Sequence, residues 1–242
     1  MAFTKANSTK RPPRPIEVGF APSIHNAVVF GHRDADGHLA AEQTRDYLIQ
    51  RELEVTQVVS SVTQNYWFWK RLRGIDLTSY DVVVVVDIAF RFGNPEESLN
   101  YLLEVADNHP DIQFIAIDHH PLAQPKTHRD NLELYAVSDP YDCCLGIPDP
   151  DLMALAALCD GAPTRIPSTP ALEKRARGMR RAAADIYGIA GEQLLKLIRQ
   201  RNWAILEALA DEDMEMHKTA RGVRRAVSQP SPQLQLAKSI AL

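Results

Sequence analysis

Acidic and imidazole side chains follow three apolar segments of this 242-residue sequence. They are His32, Asp34 and Asp36 after segment 27–31, Asp87 after five consecutive valines, and Asp118, His119 and His120 after segment 114–117. Carboxylate and imidazole ligands without thiolate suit Mn²⁺, Mg²⁺, Fe²⁺ or Zn²⁺. Clustered carboxylates repel one another unless positive charge lies among them. The sequence has more carboxylates at these positions than one ion needs. The pattern therefore predicts two ions that assist an in-line displacement at phosphorus.

Strand-like and helix-like segments alternate between residues 26 and 140. The predicted strands are 27–32, 55–61, 82–89, 114–117 and 134–137, and the predicted helices are 38–52, 94–109 and 149–162. Such alternation predicts a doubly wound, mainly parallel α/β sheet. The carboxyl ends of parallel strands open on one side of the sheet, where ligands bind. The three ligand-bearing segments are therefore expected to meet in one pocket.

The chain changes character after about residue 150, where Ala, Leu, Arg and Glu become frequent. Residues 171–227 have a helical pattern, and we expect two or three helices with breaks near 188–191 and 211–213. The predicted organisation is a disordered basic lead-in at 1–24, a metal-binding α/β domain at 25–165 and a helical region at 166–242. A homodimer through the C-terminal helices is one expectation, because Trp203 and Leu206 could face either the core or a partner chain.

Composition places bounds on the function. The net charge of −4 gives no overall basic surface, so any phosphate binding must be local. Cys143, Cys144 and Cys159 form no CxxC pair, which indicates free thiols in a reducing compartment. The basic, Pro-rich start has no apolar signal region, and no run approaches a membrane span. We therefore expect a cytoplasmic protein that does not enter a membrane.

The motifs HRDADG, VVVVVDIA and AIDHHP, in this order, resemble the DHH phosphoesterase superfamily. That group includes RecJ-type single-strand exonucleases, nano-RNases, cyclic-dinucleotide phosphodiesterases and family II inorganic pyrophosphatases. The resemblance covers residues 27–162. Its fourth motif, an aspartate after a helix of small residues, is matched by Asp160 in LMALAALCDGAP.

The resemblance implies a role for each of these side chains. His32 and Asp34 would belong to the first metal site, Asp36, His119 and Asp160 would hold the second metal, and Asp87 would bridge the two. His120 would face the substrate phosphate or its leaving oxygen. Asp118 would not bind the metal itself but would orient the neighbouring imidazoles. The expected catalytic residues are thus Asp34, Asp36, Asp87, His119 and His120. The resemblance favours two Mn²⁺ ions, with Mg²⁺ as the alternative.

The sequence also departs from the family pattern. Many members have a second domain with a glycine-rich GGGH-type motif that closes over the substrate, and nothing like it follows residue 162. The helical segment 171–227 stands in its place. The position after Gly37, where many members carry a small residue, is His38.

Two basic segments could contact a polyanion. Segment 171–183 has five basic residues, among which Arg177, Arg180 and Arg181 are expected to bind substrate, although a solvated helix face would have the same composition. Segment 65–73, in the connection after the second strand, interleaves Tyr66, Trp67, Phe68 and Trp69 with cations. These aromatics could stack bases, or Trp67 and Phe68 could anchor the segment on the core.

These features predict a metal-dependent phosphoesterase that cleaves phosphodiesters in single-stranded or short nucleic acid. One alternative is hydrolysis of a small phosphate such as a cyclic dinucleotide, a nucleoside bisphosphate or pyrophosphate. A second is a non-catalytic module that keeps the metal site and binds nucleic acid or a partner protein.

Overall fold

A five-stranded parallel sheet forms the centre of the protein in the computed structural model, which describes residues 15–59, 65–120, 122–164, 166–184 and 191–219. The strands are β1 (Asn26–Gly31), β2 (Glu54–Val59), β3 (Val82–Val86), β4 (Gln113–Asp118) and β5 (Leu132–Ala136). Their order is β2-β1-β3-β4-β5, and every neighbouring pair is parallel. The predicted parallel α/β architecture is confirmed.

Helices cover both faces of this sheet. They are α1 (Ala35–Gln50), α2 (Asn65–Leu72), α3 (Pro95–Asn108), α4 (Pro150–Asp160), α5 (Pro170–Ala183), α6 (Glu192–Arg199) and α7 (Trp203–Thr219). Alternate valines of β3 face opposite ways: Val84 packs with residues of α1, whereas Val83 and Val85 pack with residues of α2 and α3. The run of five valines is apolar throughout because the strand is buried on both faces.

The strand order reverses between β1 and β3. Strand β2 lies next to β1 on one side of it within the sheet, and β3 lies next to β1 on its other side. In open parallel sheets, the crevice beyond the strand ends at such a switch point is where ligands bind. His32 and Asp34 follow β1, and Asp87 follows β3, so the predicted ligands flank this crevice.

The C-terminal helices form a layer against α1. Side chains of α4, α5, α6 and α7 share one hydrophobic cluster with Leu39 of α1. Helices α5 and α7 approach so closely that a Cβ atom on Gly178 would lie 1.8 Å from the carbonyl oxygen of Leu206. Leu206 is fully buried within this chain, so it belongs to the core rather than to a partner contact. The homodimer itself stays a prediction.

Several element bounds differ from those predicted. Helix α1 begins at Ala35 rather than 38, because Asp34 caps its first turn. Strand β3 ends at Val86 rather than 89, since Asp87 has a left-handed backbone with φ of 57°. Helix α7 runs through 211–213, where a break was expected, because acidic residues without Gly or Pro do not stop a helix. Segment 65–72, predicted as a connection, is helix α2.

Part of the predicted lead-in is ordered. Ile16 pairs with Gly146 in an isolated antiparallel bridge, and Val18 is buried with its N–H donated to the hydroxyl of Tyr47. Residues 1–14 lie outside the described part of the chain, as does the tail after 219. The division into domains at 25–165 and 166–242 stays a prediction. Within the described ranges, no helix combines the length and apolar character needed to cross a bilayer.

Candidate metal centre

The loop between β1 and α1 holds its acidic side chains through a close backbone approach. A Cβ atom on Gly37 would lie 2.6 Å from the carbonyl oxygen of His32, so only glycine fits there. Asp34 is the N-cap of α1, and its Oδ1 accepts a hydrogen bond from the Gly37 N–H at 3.1 Å. Its Oδ2 lies 2.5 Å from Nδ1 of His32. Asp36, in the first helical turn, is only 6% exposed.

Asp87 lies at the end of β3 with its carboxylate buried. The left-handed backbone ends the strand, and its N–H still donates to the carbonyl oxygen of Ile117 at 2.9 Å. Both carboxylate oxygens are inaccessible to solvent and have no hydrogen-bond partner. Because an unpartnered buried carboxylate is strongly unfavourable, these oxygens fit a site that receives a cation.

The Asp118-His119-His120 segment ends β4 beside Asp87. Oδ1 of Asp118 accepts from the His120 N–H at 3.0 Å and lies 2.8 Å from Nδ1 of His120. The rings of His119 and His120 lie 4.1 Å apart, and Nε2 of His119 is 3.9 Å from Oδ2 of Asp36. Asp118 thus fixes the orientation of His120, while His119 turns toward the β1–α1 loop.

Asp160 reaches the same region from the end of helix α4. The helix ends there because Gly161 adopts a left-handed conformation with φ of 79°. Arg180 of α5 donates to the carbonyl oxygen of Leu158 at 2.6 Å, in the last turn of α4. The fourth motif is therefore held in place by a contact from the C-terminal helices.

Three groups of side chains bring potential ligand atoms within 4.8 Å of one another among the described residues. They are His32, Asp34 and Asp87; Asp36, His119 and Asp160; and Asp87, Asp118, His119 and His120. The structure thus gathers all the side chains that the motifs nominated. The first two groups match the two ligand sets implied by the resemblance, and Asp87 is shared between the first and the third.

The carboxylates strongly perturb one another. Burial, followed by the charges of Asp34 and Asp160, raises the pKa of Asp36 to about 8. Burial and the neighbouring carboxylates raise the pKa of Asp87 well above its ordinary value. Burial also opposes ionisation of Asp34, but the hydrogen bond and charge of His32 outweigh it and lower its pKa. Without added positive charge these groups cannot all ionise together near neutral pH, which favours a site that holds cations.

The two imidazoles differ in character. Burial, followed by the proximity of His120, lowers the pKa of His119, so its ring is neutral and can act as a ligand. The hydrogen bond that His120 donates to Asp118 raises the pKa of His120, which favours its protonated form. One histidine is thus suited to bind a metal and the other to donate to an anionic oxygen.

The predicted substrate-binding arginines of α5 lie in different surroundings. Arg180 is exposed and contacts the last turn of α4, next to Asp160. Arg177 and Arg181 are half-buried on the same helix. The neighbouring cations Lys174 and Arg175 form ion pairs with Asp211 and Glu207 of α7. Much of the basic charge on α5 therefore stabilises helix packing, and the role of Arg177, Arg180 and Arg181 in substrate binding stays a prediction.

The aromatic segment of α2 is anchored by Phe68, as one expectation had it, and by Trp69 in place of Trp67. Phe68 and Trp69 are buried, and the indole N–H of Trp69 donates to the carbonyl oxygen of Ala89 at 3.1 Å. Trp67 instead is 42% exposed, with the Lys70 ammonium 5.1 Å from its ring centre. The interleaved pattern predicted both roles but could not assign them, because α2 was not recognised as a helix.

Sequence reasoning overlooked Phe92. It follows Asp87 by five residues, in the connection to α3, and its side chain is 101% exposed. The nearby Phe90 is buried against Trp69, with ring centres 5.0 Å apart, and fixes this connection to α2. A phenylalanine that is fully exposed five residues after a potential metal ligand is a candidate contact for substrate. The sequence carried no signal for it beyond the aromatic residue itself.

The fold is similar to those of several solved structures, whereas no model of a known family and no curated protein matches the sequence. The chain is similar to exonuclease RecJ bound to manganese, with 16% identity and a TM-score of 0.44, over 89% of this chain and 72% of that one. It is similar to RecJ in complex with Mn²⁺ from Thermus thermophilus, with 18% identity and a TM-score of 0.40, over 89% of this chain and 34% of that one. An exopolyphosphatase-related protein from Bacteroides fragilis is similar over 66% of this chain and 46% of its own, with 12% identity and a TM-score of 0.29. These likenesses are weak, so the chemistry of the site is inferred from the side chains of this chain.

Proposed function

We propose that this protein is a metal-dependent phosphoesterase that hydrolyses phosphodiester bonds in single-stranded or short nucleic acid. The observation that carries the proposal is the Asp87 carboxylate, which is buried without a hydrogen-bond partner among the other potential ligands. Such a group is costly unless a cation neutralises it, and a set of Asp and His ligands suits hard divalent ions.

Two cations would be held by side chains from four elements. His32 and Asp34 would bind one ion, Asp36, His119 and Asp160 would bind the other, and Asp87 would contribute to both. Mn²⁺ is the proposed ion and Mg²⁺ the alternative, because carboxylate-rich sites accept either. When bound, such ions supply the Lewis acidity that makes hydroxide available from water near neutral pH.

The protein's own groups would then act on the phosphate. His120, oriented by Asp118, is positioned to donate a hydrogen bond where negative charge builds on a phosphate or leaving oxygen. The raised pKa of His120 favours the donor form. His119 keeps the opposite, neutral state that a metal ligand requires. Neighbouring histidines would thus divide the tasks of binding metal and stabilising charge.

Two exposed aromatic side chains, one of them beside a lysine, support a nucleic-acid substrate rather than a small phosphate. Phe92 is fully exposed after Asp87, and Trp67 with Lys70 lies on α2, which packs against the same connection through Trp69. Aromatic faces stack bases without regard to sequence, and cations track the phosphates. A small phosphate would need neither feature. The buried thiols of Cys143 and Cys144 fit the reducing, cytoplasmic setting expected for such an enzyme.

The test compares Asp87→Asn with Asp81→Asn, which alters the opposite end of the same strand. Asp81 accepts hydrogen bonds from the N–H groups of His25 and Asn26 through Oδ2, and an asparagine oxygen can keep them. Wild type and both variants are assayed with Mn²⁺ or chelator on labelled single-stranded DNA and RNA, a dinucleotide, a cyclic dinucleotide, bis-p-nitrophenyl phosphate and pyrophosphate.

Metal-dependent cleavage of the strands by wild type and Asp81→Asn, and its loss in Asp87→Asn, is the expected result. Cleavage of pyrophosphate or the cyclic dinucleotide alone would reject the nucleic-acid substrate but keep the phosphoesterase. Mn²⁺ binding without turnover on any substrate would reject catalysis and favour a module that binds nucleic acid or a partner.

A further inference from the structure

His38 joins the metal-binding loop to the C-terminal helices. It lies in the first turn of α1, two residues after Asp36, and its side chain is fully buried. Its Nδ1 lies 2.5 Å from the carbonyl oxygen of Asp34, and its Nε2 lies 3.1 Å from the N–H of Gly191. Gly191 is 153 positions away and forms the N-cap of α6.

The two contacts define the proton on the ring. A carbonyl oxygen can only accept, so Nδ1 carries the hydrogen, and the Gly191 N–H can only donate, so Nε2 is the acceptor. The imidazole is therefore a neutral bridge with both nitrogens satisfied. Neither a small residue nor a hydroxyl at this position could reach both backbone atoms.

One end of this bridge is the residue that organises the metal loop. The Asp34 carbonyl oxygen accepts a hydrogen bond from Nδ1 of His38. The Asp34 carboxylate caps α1 and contacts His32. The other end fixes the start of α6, whose side chains Leu194 and Leu197 belong to the helical core. Loss of a hydrogen bond that holds a ligand in place typically lowers metal affinity or activity about 10–100-fold.

We propose that His38 is a positioning residue through which the C-terminal helical layer sets the geometry of the metal loop, so that docking of α6 and metal binding are coupled. The inference rests on the proposed function, because it assumes that Asp34 and Asp36 bind metal. The C-terminal layer in this chain is then part of the metal site's support.

A second contact between the same two helices provides the matched control. Glu42 lies one turn beyond His38 on α1 and is 1% exposed. Its carboxylate accepts hydrogen bonds from Nε of Arg199 at 3.0 Å and from Nη2 of Arg199 at 3.3 Å. Glu42 therefore connects α1 to the C-terminal end of α6, whereas His38 connects α1 to the N-terminal end of α6. Only the His38 contact continues to Asp34. Glu42→Gln weakens the docking of α6 without touching the loop.

The test variant is His38→Asn. The asparagine amide can replace Nδ1 as donor to Asp34 but is too short to reach Gly191, so only the link to α6 is cut. His38→Gln, whose longer side chain can reach the Gly191 N–H, is the conservative rescue. Mn²⁺ affinity is measured by calorimetry, and hydrogen exchange of the Gly191 amide is followed with and without Mn²⁺, for wild type, the two His38 variants and Glu42→Gln.

We expect His38→Asn to bind Mn²⁺ about 10-fold more weakly, in the range typical of lost ligand support. Mn²⁺ should slow exchange at Gly191 in wild type but not in this variant, because coupling between two sites is reciprocal. His38→Gln should recover part of the affinity, and Glu42→Gln should stay within about twofold of wild type.

Equal Mn²⁺ affinity in wild type and His38→Asn would overturn the inference, as would an equal loss in Glu42→Gln, which would show a general effect of helix docking. A wild-type protein that binds no Mn²⁺ would overturn the proposed function and the inference with it. Circular dichroism of each variant establishes that the affinities compare folded proteins. If His38→Asn fails to fold, the Mn²⁺ dependence of exchange at Gly191 in wild type decides the matter, and its absence would reject the coupling.

Discussion

Nε2 of His119 lies 3.1 Å from Oδ1 of Asp87, yet both atoms are buried without a hydrogen-bond partner. The two residues end neighbouring strands, β4 and β3, and their ligand atoms approach without hydrogen-bond geometry. A neutral imidazole nitrogen and a carboxylate oxygen that lie this close would suit two ligands of one shared cation, as the proposed function requires. This relationship makes Asp87 the first residue to test.

Asp87→Asn should raise the melting temperature of the metal-free protein and lower its turnover with Mn²⁺. In chelator we expect this variant to melt a few degrees above wild type, because it removes a carboxylate that burial and its neighbours disfavour. A gain of about 1 kcal/mol corresponds to roughly 2–4 °C in a chain of this size. Turnover with Mn²⁺ should fall at least about 100-fold. Melting curves in chelator and in Mn²⁺ provide the check, and lower stability in chelator would contradict the electrostatic account.

The contribution of Asp36 to the stability of the metal-free protein should fall as pH rises from about 4 toward 8. The pKa of Asp36 is raised from 3.8 to about 8, so the folded state binds a proton that the unfolded state has lost across this range. Stability falls with pH wherever the native state holds more protons. Mn²⁺ should therefore add more to the melting temperature near pH 8 than near pH 6. Asp36→Asn should flatten the slope in chelator, and an unchanged slope would assign it to other groups.

His120→Gln should impair turnover while leaving metal binding nearly intact. The loss of one donor to developing charge typically lowers kcat by about 10²–10³-fold. Because the hydrogen bond that His120 donates to Asp118 raises the pKa of His120, activity should decline as pH rises through that pKa. Asp118→Asn should move this decline to lower pH. The check is the pH dependence of kcat beside Mn²⁺ affinity, and a large loss of affinity in His120→Gln would make this residue a ligand instead.

Gly37→Ala should disturb the metal loop more than its small size suggests. The added Cβ atom would lie 2.6 Å from the carbonyl oxygen of His32 and 2.7 Å from its Cβ, so the β1–α1 loop must shift. We expect Mn²⁺ affinity to fall about 10-fold or more, as for loss of ligand support. Gly19→Ala is the control, because nothing lies within 4 Å of its added Cβ. Calorimetry with Mn²⁺ on both variants distinguishes a local clash from a general sensitivity to substitution.

The sequence predicted the sheet and the clustering of its acidic and imidazole side chains because both depend on local patterns. Five valines can hardly form anything but a buried strand, and acidic residues at the ends of parallel strands must meet at one edge. Asp160 was reached through the family resemblance, because no periodicity indicates that α4 ends beside Asp36. The bounds of β3 were missed because the left-handed backbone of Asp87 has no marker in the sequence.

The contacts that separate one role from another depend on the tertiary fold. Composition showed basic residues on α5 but could not show that Lys174 and Arg175 pair with α7 while Arg180 contacts α4. The sequence marked His38 as a departure from the family pattern, but its partner Gly191 lies 153 positions away. Contacts over such distances along the chain follow from helix packing, which local propensities do not determine.

Phe92→Ala should discriminate between a polymer and a small substrate. If this exposed ring stacks a base, its removal costs about 1–3 kcal/mol, so KM for a single-stranded oligonucleotide should rise roughly 10-fold. Hydrolysis of bis-p-nitrophenyl phosphate, which has no base to stack, should be unchanged. Ile147→Ala is the matched control, because Ile147 is also exposed, at 74%, but precedes α4 at the end away from Asp160. Equal KM values for the oligonucleotide in wild type and Phe92→Ala would remove this residue from the substrate path, because a stacked ring cannot be lost without weakening the polymer's binding.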